Sequence, residues 1–191
     1  MRYKMNLYRV TPEDTFLLFI DLQERMLPSM ADADHVTKNA EVLLEAAKAF
    51  HLPMIVTEQY PKGLGATVSA LQSAKEQEYS KYAEKTVFNA ITPAIHEALS
   101  EAPFSGRKQV IVTGIEAHIC VFQTVRTLLA EGYHVFIPAD AVSSRDARNK
   151  ERALTLFSQM GAVVTSTESL LFDLLGDAKN PHFKALQALI K

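Results

Sequence analysis

The sequence is poor in cysteine, in excess charge and in long apolar runs. Its 191 residues hold a single cysteine, Cys120, which closes no internal disulfide. A disulfide-stapled secreted scaffold is therefore excluded, and a free thiol suits a reducing compartment, so a cytoplasmic protein is expected. The 20 basic and 22 acidic residues leave a formal net charge of -2. Spread along the whole chain, they make no electrostatic footprint for nucleic acid or for an anionic membrane surface. A small neutral or mildly polar ligand fits better. The longest apolar stretch near the N-terminus, Phe16-Leu17-Leu18-Phe19-Ile20, is far too short to span a bilayer or to form a signal-peptide core. Arg2, Lys4 and Arg9 stand in the first 12 residues without an acid, and this basic leader is read as a solvated tail rather than an organelle signal.

What is present is the composition of an ordinary globular protein, 48% hydrophobic and 22% charged, long enough to bury one substantial core. One domain over residues 1–191 is expected, with no repeat, low-complexity tract or linker. β-Branched and aromatic runs alternate with amphipathic helical segments, the pattern of a parallel sheet covered by helices. Thr15–Asp21, Pro53–Glu58, Gln109–Ile115, Tyr133–Asp140 and Ala162–Thr165 read as strands, with a weaker candidate at Glu84–Phe88. Between the first two, Val36, Ala40, Leu43, Leu44, Ala47 and Phe50 recur at helical spacing, opened by Asp32 or Asp34 and closed before Pro53. Phe122, Val125 and Leu129 mark a second helix that stops at Gly132. Ala153, Leu154, Phe157 and Met160 mark a third, from about Asp146 to Gly161. Asn180-Pro181 opens a last helix with Phe183, Leu186 and Ile190 inward. The expected fold is a three-layer α/β/α sandwich on a mostly parallel sheet of five or six strands.

In open α/β sheets, ligands bind beyond the carboxyl ends of the strands where the strand order reverses, commonly between the first and fourth strands. Asp21 closes the first strand. Cys120 lies five residues past Ile115, in the turn that starts the helix after the fourth, and Lys85 stands beside the weak third strand. A thiolate attacks well and a thiol does not, and a helix N-terminus with a neighbouring ammonium favours the thiolate. Asp21 can then move protons as general acid and base. Each residue has a plainer reading: a buried inert cysteine, a turn aspartate, a surface lysine. Three such groups on strand ends around one switch point weigh against that coincidence.

These residues sit in longer stretches: Phe19-Ile20-Asp21-Leu22-Gln23, Thr57-Glu58-Gln59-Tyr60-Pro61-Lys62-Gly63-Leu64-Gly65, Glu84-Lys85-Thr86-Val87-Phe88, Thr113-Gly114-Ile115-Glu116-Ala117-His118-Ile119-Cys120-Val121 and Asp140-Ala141-Val142-Ser143-Ser144-Arg145. In this order they resemble the isochorismatase-like cysteine hydrolase superfamily, nearest to the isochorismatase domain-containing proteins of undefined substrate. The resemblance covers nearly the whole chain. It implies strand order 3-2-1-4-5-6, an Asp-Lys-Cys triad of Asp21, Lys85 and Cys120, and a cis peptide between Ile115 and Glu116. The backbone N–H groups of Glu116 and Cys120 would then form an oxyanion hole. It also implies self-association as a dimer or larger ring, for which the helices from Ser169 onward are plausible interface material.

Nicotinamidases of the superfamily place an Asp-x-His pair after the second strand to hold a metal. Here Thr57-Glu58-Gln59 stands there, so no metal and no other cofactor is expected. True isochorismatases commonly lack the cysteine, and its retention favours an amide or acyl substrate that forms a thioester. Gln23, Gln59, Tyr60, Phe88 and His118 are candidate pocket-lining residues, and His118 is also read as a packing or capping residue. Asp140 and Arg145 are expected to pair with each other. The expected partner is a small-molecule substrate, with no nucleic acid and no membrane. Two other readings stay open: a catalytically silent member of the fold serving as a binding or assembly module, and an oxidant sensor, which the lack of a resolving cysteine disfavours.

Overall fold

The computed structural model describes residues 8–191; Arg2 and Lys4 of the basic leader lie outside them. The chain runs through β1 (Thr15–Ile20), α1 (Ala33–Phe50), β2 (Met54–Gln59), the single turn α2 (Pro61–Leu64), β3 (Ser80–Lys85) and α3 (Pro93–Leu99). It continues through β4 (Gln109–Ile115), a π-helical turn (Ala117–Val121), α4 (Phe122–Ala130), β5 (His134–Pro138), β6 (Val142–Ser143), α5 (Ala147–Met160), β7 (Val163–Thr165), α6 (Thr167–Leu175) and α7 (Phe183–Gln187). The sheet order is β3-β2-β1-β4-β5-β7, with the two-residue β6 paired to β4, and every named strand pair is parallel. β1 lies between β2 and β4, so the order reverses there, at the expected switch point.

Alternation along the central strands divides the core. Leu17, Phe19, Met54, Val56, Ile111 and Phe136 face α1, α6 and α7. Phe16, Leu18, Ile20, Ile55, Val110, Val112, Val135 and Ile137 face α3, α4 and α5. Because β1 and β4 are buried on both faces, they read as continuous apolar runs. Helix ends follow their local chemistry. The Asp146 side chain accepts from Arg148 N to cap α5, which closes on Gly161 at φ 99°. In α7, Leu186 points inward and is buried, and Asn180 Oδ1 accepts from His182 N one turn earlier.

One expectation is corrected. The third strand is Ser80–Lys85 rather than Glu84–Phe88. It is an edge strand with polar alternation, and the apolar pair Val87-Phe88 that drew the reading onward sits in the following loop with both side chains exposed. The far edge is closed by β7, the strand expected at Ala162–Thr165, so the expected order stands; the two-residue β6 beside β4 is additional and too short to carry a periodic signal. No helix of the described residues is long and apolar enough to cross a membrane.

Candidate active site

Asp21 is the first residue beyond β1, held at φ 54°, a left-handed conformation that aspartate tolerates better than most residues. Its N–H donates to the Thr57 carbonyl at 3.1 Å and its own carbonyl accepts from Gln23 N at 2.8 Å. The turn throws its carboxyl into the crevice between β2 and β4. Room for this turn comes from Gly114, whose added Cβ would lie 2.1 Å from the Ile20 carbonyl oxygen; no side chain fits there.

The carboxyl meets a ring of donors. Lys85 Nζ donates to Asp21 Oδ2 at 2.6 Å, and both side chains are wholly buried. Thr57 Oγ1 donates to Asp21 Oδ1 at 2.8 Å. Lys85 spends its other protons on Gln59 Oε1 at 2.8 Å and the Phe88 carbonyl at 3.4 Å. Gln59 Nε2 donates in turn to the Thr86 carbonyl at 2.8 Å. Gln23 locks this arrangement: its Oε1 accepts from Gln59 N at 2.7 Å, and its Nε2 donates to the carbonyls of Gln59 and Gly65.

Cys120 approaches from the other side, in the π-helical turn that joins β4 to α4. Such wide turns occur often at functional sites. The Ile115–Glu116 peptide is cis. The Glu116 carbonyl accepts from Ile119 N at 3.0 Å and Val121 N at 3.3 Å, on either side of Cys120. The thiol lies beside Asp21, close enough that each perturbs the other. Burial pushes it up to about 12, the Asp21 charge adds to the rise, and Lys85 offsets only part. Asp21 is itself raised above the usual carboxylate range by burial, against the opposing pull of Lys85, Thr57 and Cys120. The expectation of a thiolate favoured at rest is thus corrected. Lys85 is already matched to Asp21, so the resting thiol keeps its proton.

A cavity of about 320 Å³ opens above Cys120, lined by Met26, Gln59, Tyr60, Leu64, Phe88, Glu116 and Ile119, a size at the lower end of small-molecule sites. Among the described residues, no three His, Cys, Asp or Glu side chains are grouped to hold a metal ion.

The Isochorismatase domain model matches residues 15–169. The chain belongs to the isochorismatase family. That places it with the hydrolases of the cysteine hydrolase superfamily. It is similar to isochorismatase domain-containing protein 2 of Xenopus laevis, 38% identical over 179 residues, which are 93% of this chain and 84% of that protein. Among solved structures, it is similar to a Caenorhabditis elegans protein described as MAR1 ribonuclease, with a TM-score of 0.87 and 37% identity, covering 95% of this chain and 92% of that one. It is also similar to the YcaC gene product of Escherichia coli, described as an octameric hydrolase of unknown specificity, with a TM-score of 0.86 and 26% identity over 95% and 89% of the two chains.

In this isochorismatase-family chain, Asp21, Lys85 and Cys120 converge, and Gln59, Tyr60 and Phe88 reach the cavity. Gln23 stays buried beneath it as a brace. His118 turns away: its Nδ1 lies 2.9 Å from Ser144 Oγ and its Nε2 3.5 Å from Asn149 Nδ2. Asp140 and Arg145 do not pair with each other. Asp140 Oδ1 accepts from Thr167 N and Oγ1 at the start of α6, whereas Arg145 pairs with Glu116, Nε to Oε1 at 3.1 Å and N to Oε2 at 2.9 Å. Sequence reasoning assigned no role to Met26, Leu64 or Ile119, because isolated apolar residues in loops and single helical turns carry no signal of which cavity they line. It also assigned none to Thr57, although a hydroxyl opposite a strand-end aspartate on the neighbouring strand is a signal that parallel register makes readable.

Proposed function

We propose that this protein is a cysteine hydrolase that cleaves a small amide, or a related acyl compound, through a covalent thioester on Cys120. The observation that carries the reading is the buried Asp21–Lys85 pair with the buried Cys120 thiol against it. Such a site does not store a thiolate; it makes one when a carbonyl arrives. Cys120 Sγ attacks the substrate carbonyl carbon as its proton passes to Asp21, whose raised pKa makes it a competent base. The oxyanion collects hydrogen bonds from the N–H groups of Glu116 and Cys120. Asp21 then protonates the leaving nitrogen as the C–N bond breaks. In the second half, water attacks the thioester and gives its proton to Asp21. The C–S bond breaks, and the proton returns to sulfur, so the sum is amide plus water to acid plus amine. Lys85 keeps Asp21 ionised between transfers, and Gln59 and the Phe88 carbonyl hold Lys85 in place.

No metal enters this reading, because the side chains at the carboxyl end of β2 are committed elsewhere: Thr57 to Asp21, Glu58 to Thr67 and Lys75, Gln59 to Lys85. Phosphodiester cleavage, suggested by the name of the Caenorhabditis elegans relative, has less support. It asks for unpaired positive charge at the reacting phosphate, and the site's cations are paired. The test is turnover of an amide library by the intact protein, with Cys120→Ala and Cys120→Ser as controls and intact-mass trapping of an acyl adduct. Turnover that survives Cys120→Ala sinks the thiol mechanism.

A binding or assembly role draws on one observation: Tyr60 and Phe88, which line the cavity, stand exposed together with Val87 beside Phe88, apolar groups that a second copy would cover. The octamer described for the Escherichia coli relative accords with self-association. Gel filtration of wild type against Val87→Glu reads it, and a wild type that runs as a monomer ends it.

A further inference from the structure

The cavity above Cys120 is nearly apolar, and the two ion pairs beside it, Lys85 with Asp21 and Arg145 with Glu116, are made before any ligand enters. Met26, Tyr60, Leu64, Phe88 and Ile119 make its walls, with Gln59 and Glu116 as the polar members. An ammonium has three protons to donate, and Lys85 gives them to Asp21, Gln59 and the Phe88 carbonyl. Both oxygens of Glu116 accept from Arg145. Arg25, exposed on the loop after β1, donates Nη1 to the Gly63 carbonyl at 3.0 Å and does not line the cavity. A carboxylate brought into this cavity would meet apolar side chains and the Glu116 carboxylate, and among the described residues that line it there is no cation to receive it. Burying an unpaired charge in such surroundings costs far more than the accompanying apolar contact returns.

The geometry points to an uncharged substrate with a compact apolar acyl group, selected by Met26, Leu64, Phe88 and Ile119. The 320 Å³ of space equals the volume of about ten liquid waters, hence an acyl part of about ten heavy atoms or fewer. Carboxylate-bearing acyl compounds are turned away by the same walls. This rests on the thiol reading above for the bond that is cleaved, and on the cavity alone for what is admitted.

The test is alkylation of Cys120 in the intact protein by iodoacetamide, N-hexyl iodoacetamide and iodoacetate, read by mass and normalised to each reagent's rate with glutathione. Iodoacetate is expected to be at least about 30-fold slower than iodoacetamide, and the hexyl reagent faster than either. In parallel, hexanamide at about 10 mM is expected to raise Tm while hexanoate does not. This arm decides the matter even where the buried thiol alkylates too slowly to measure. Leu64→Lys, at a half-buried wall position, is expected to shrink the iodoacetamide-to-iodoacetate ratio by about tenfold. Equal rates for the two reagents, a Tm rise with hexanoate equal to that with hexanamide, or no rise with either, overturns the inference. Cys120-dependent amide turnover with equal rates refutes this inference alone. Neutral-selective labelling beside turnover that persists in Cys120→Ala refutes the thiol mechanism and leaves the cavity's preference standing.

Discussion

Two buried carboxylates stand at the carboxyl ends of neighbouring strands, Asp21 after β1 and Glu58 in β2. Each takes a lysine, Asp21 from Lys85 at 2.6 Å and Glu58 from Lys75 at 2.8 Å, yet they are pushed in opposite directions. Glu58 is drawn down to about 2: burial raises it, but Lys75, Thr67 and Tyr82 together outweigh that. Asp21 ends above its ordinary value, because burial outweighs Lys85, Thr57 and Cys120. The difference lies in what surrounds each pair. Glu58 collects the Thr67 N–H and hydroxyl, the Tyr82 hydroxyl and a partly exposed ammonium. Asp21 and its lysine have no solvent, and the thiol that faces them is itself a proton donor. Glu58 is therefore built to stay charged and pin the loop through Thr67, whereas Asp21, in the mechanism proposed above, exchanges a proton.

The sharpest way to break that comparison is Asp21→Asn. Proton transfer through a positioned carboxylate is worth about 10²- to 10⁴-fold in rate, and kcat on any substrate found is expected to fall by that much. Stability falls too, by about 3–5 kcal/mol, since Lys85 is left buried and unpaired. Asp21→Asn with Lys85→Met removes both charges. It is expected to recover most of that stability in urea unfolding and none of the activity. Recovery of activity in the double variant would mean that the pair serves structure alone.

Glu58→Gln is the opposite case, expected to cost about 2–3 kcal/mol and leave kcat nearly unchanged. Its pH signature follows from the sign of the shift. A carboxylate lowered from 4.5 to about 2 contributes stability that is present above its unfolded value and lost as pH falls toward its folded one. Asp21, shifted upward, contributes the other way, its share fading as pH rises through its folded value. Urea midpoints measured from about pH 6 down to about pH 2 should fall steeply in wild type and less steeply in Glu58→Gln. An unchanged slope would show that other carboxylates carry the acid limb.

The same contrast explains what was legible in the sequence. The ends of β1 and β4 stand out because continuous apolar runs stop there abruptly, and that locates Asp21 and the turn with Cys120. β3 misleads, since an edge strand carries its apolar residues on one side only and the exposed Val87-Phe88 pair imitates a core. Glu58's task is invisible locally. Its partners Thr67, Lys75 and Tyr82 lie 9, 17 and 24 residues onward, and nothing in their spacing shares a period with it. The protonation of Cys120 was read in the wrong direction because the sequence shows which charges are near a thiol but not that one of them has already cancelled the other. Thr57 lies between these cases, its residue visible and its bond not.

The smallest expected effect is the finest probe of the comparison. Thr57 Oγ1 supplies the one side-chain hydroxyl bond to Asp21, where Glu58 has two such hydroxyls. If donor number sets the difference between the carboxylates, then Thr57→Val should drive Asp21 further up and move the acid limb of kcat/KM to higher pH, by less than about one unit. kcat itself should fall only about 3- to 10-fold, because Lys85 still holds Oδ2. Thr57→Ser keeps the hydroxyl and should restore both the limb and the rate. A Thr57→Val enzyme that loses Tm but keeps its pH profile would assign the hydroxyl to packing of β1 on β2. The upward shift of Asp21 would then be a matter of burial alone, and donor number would not be what separates it from Glu58.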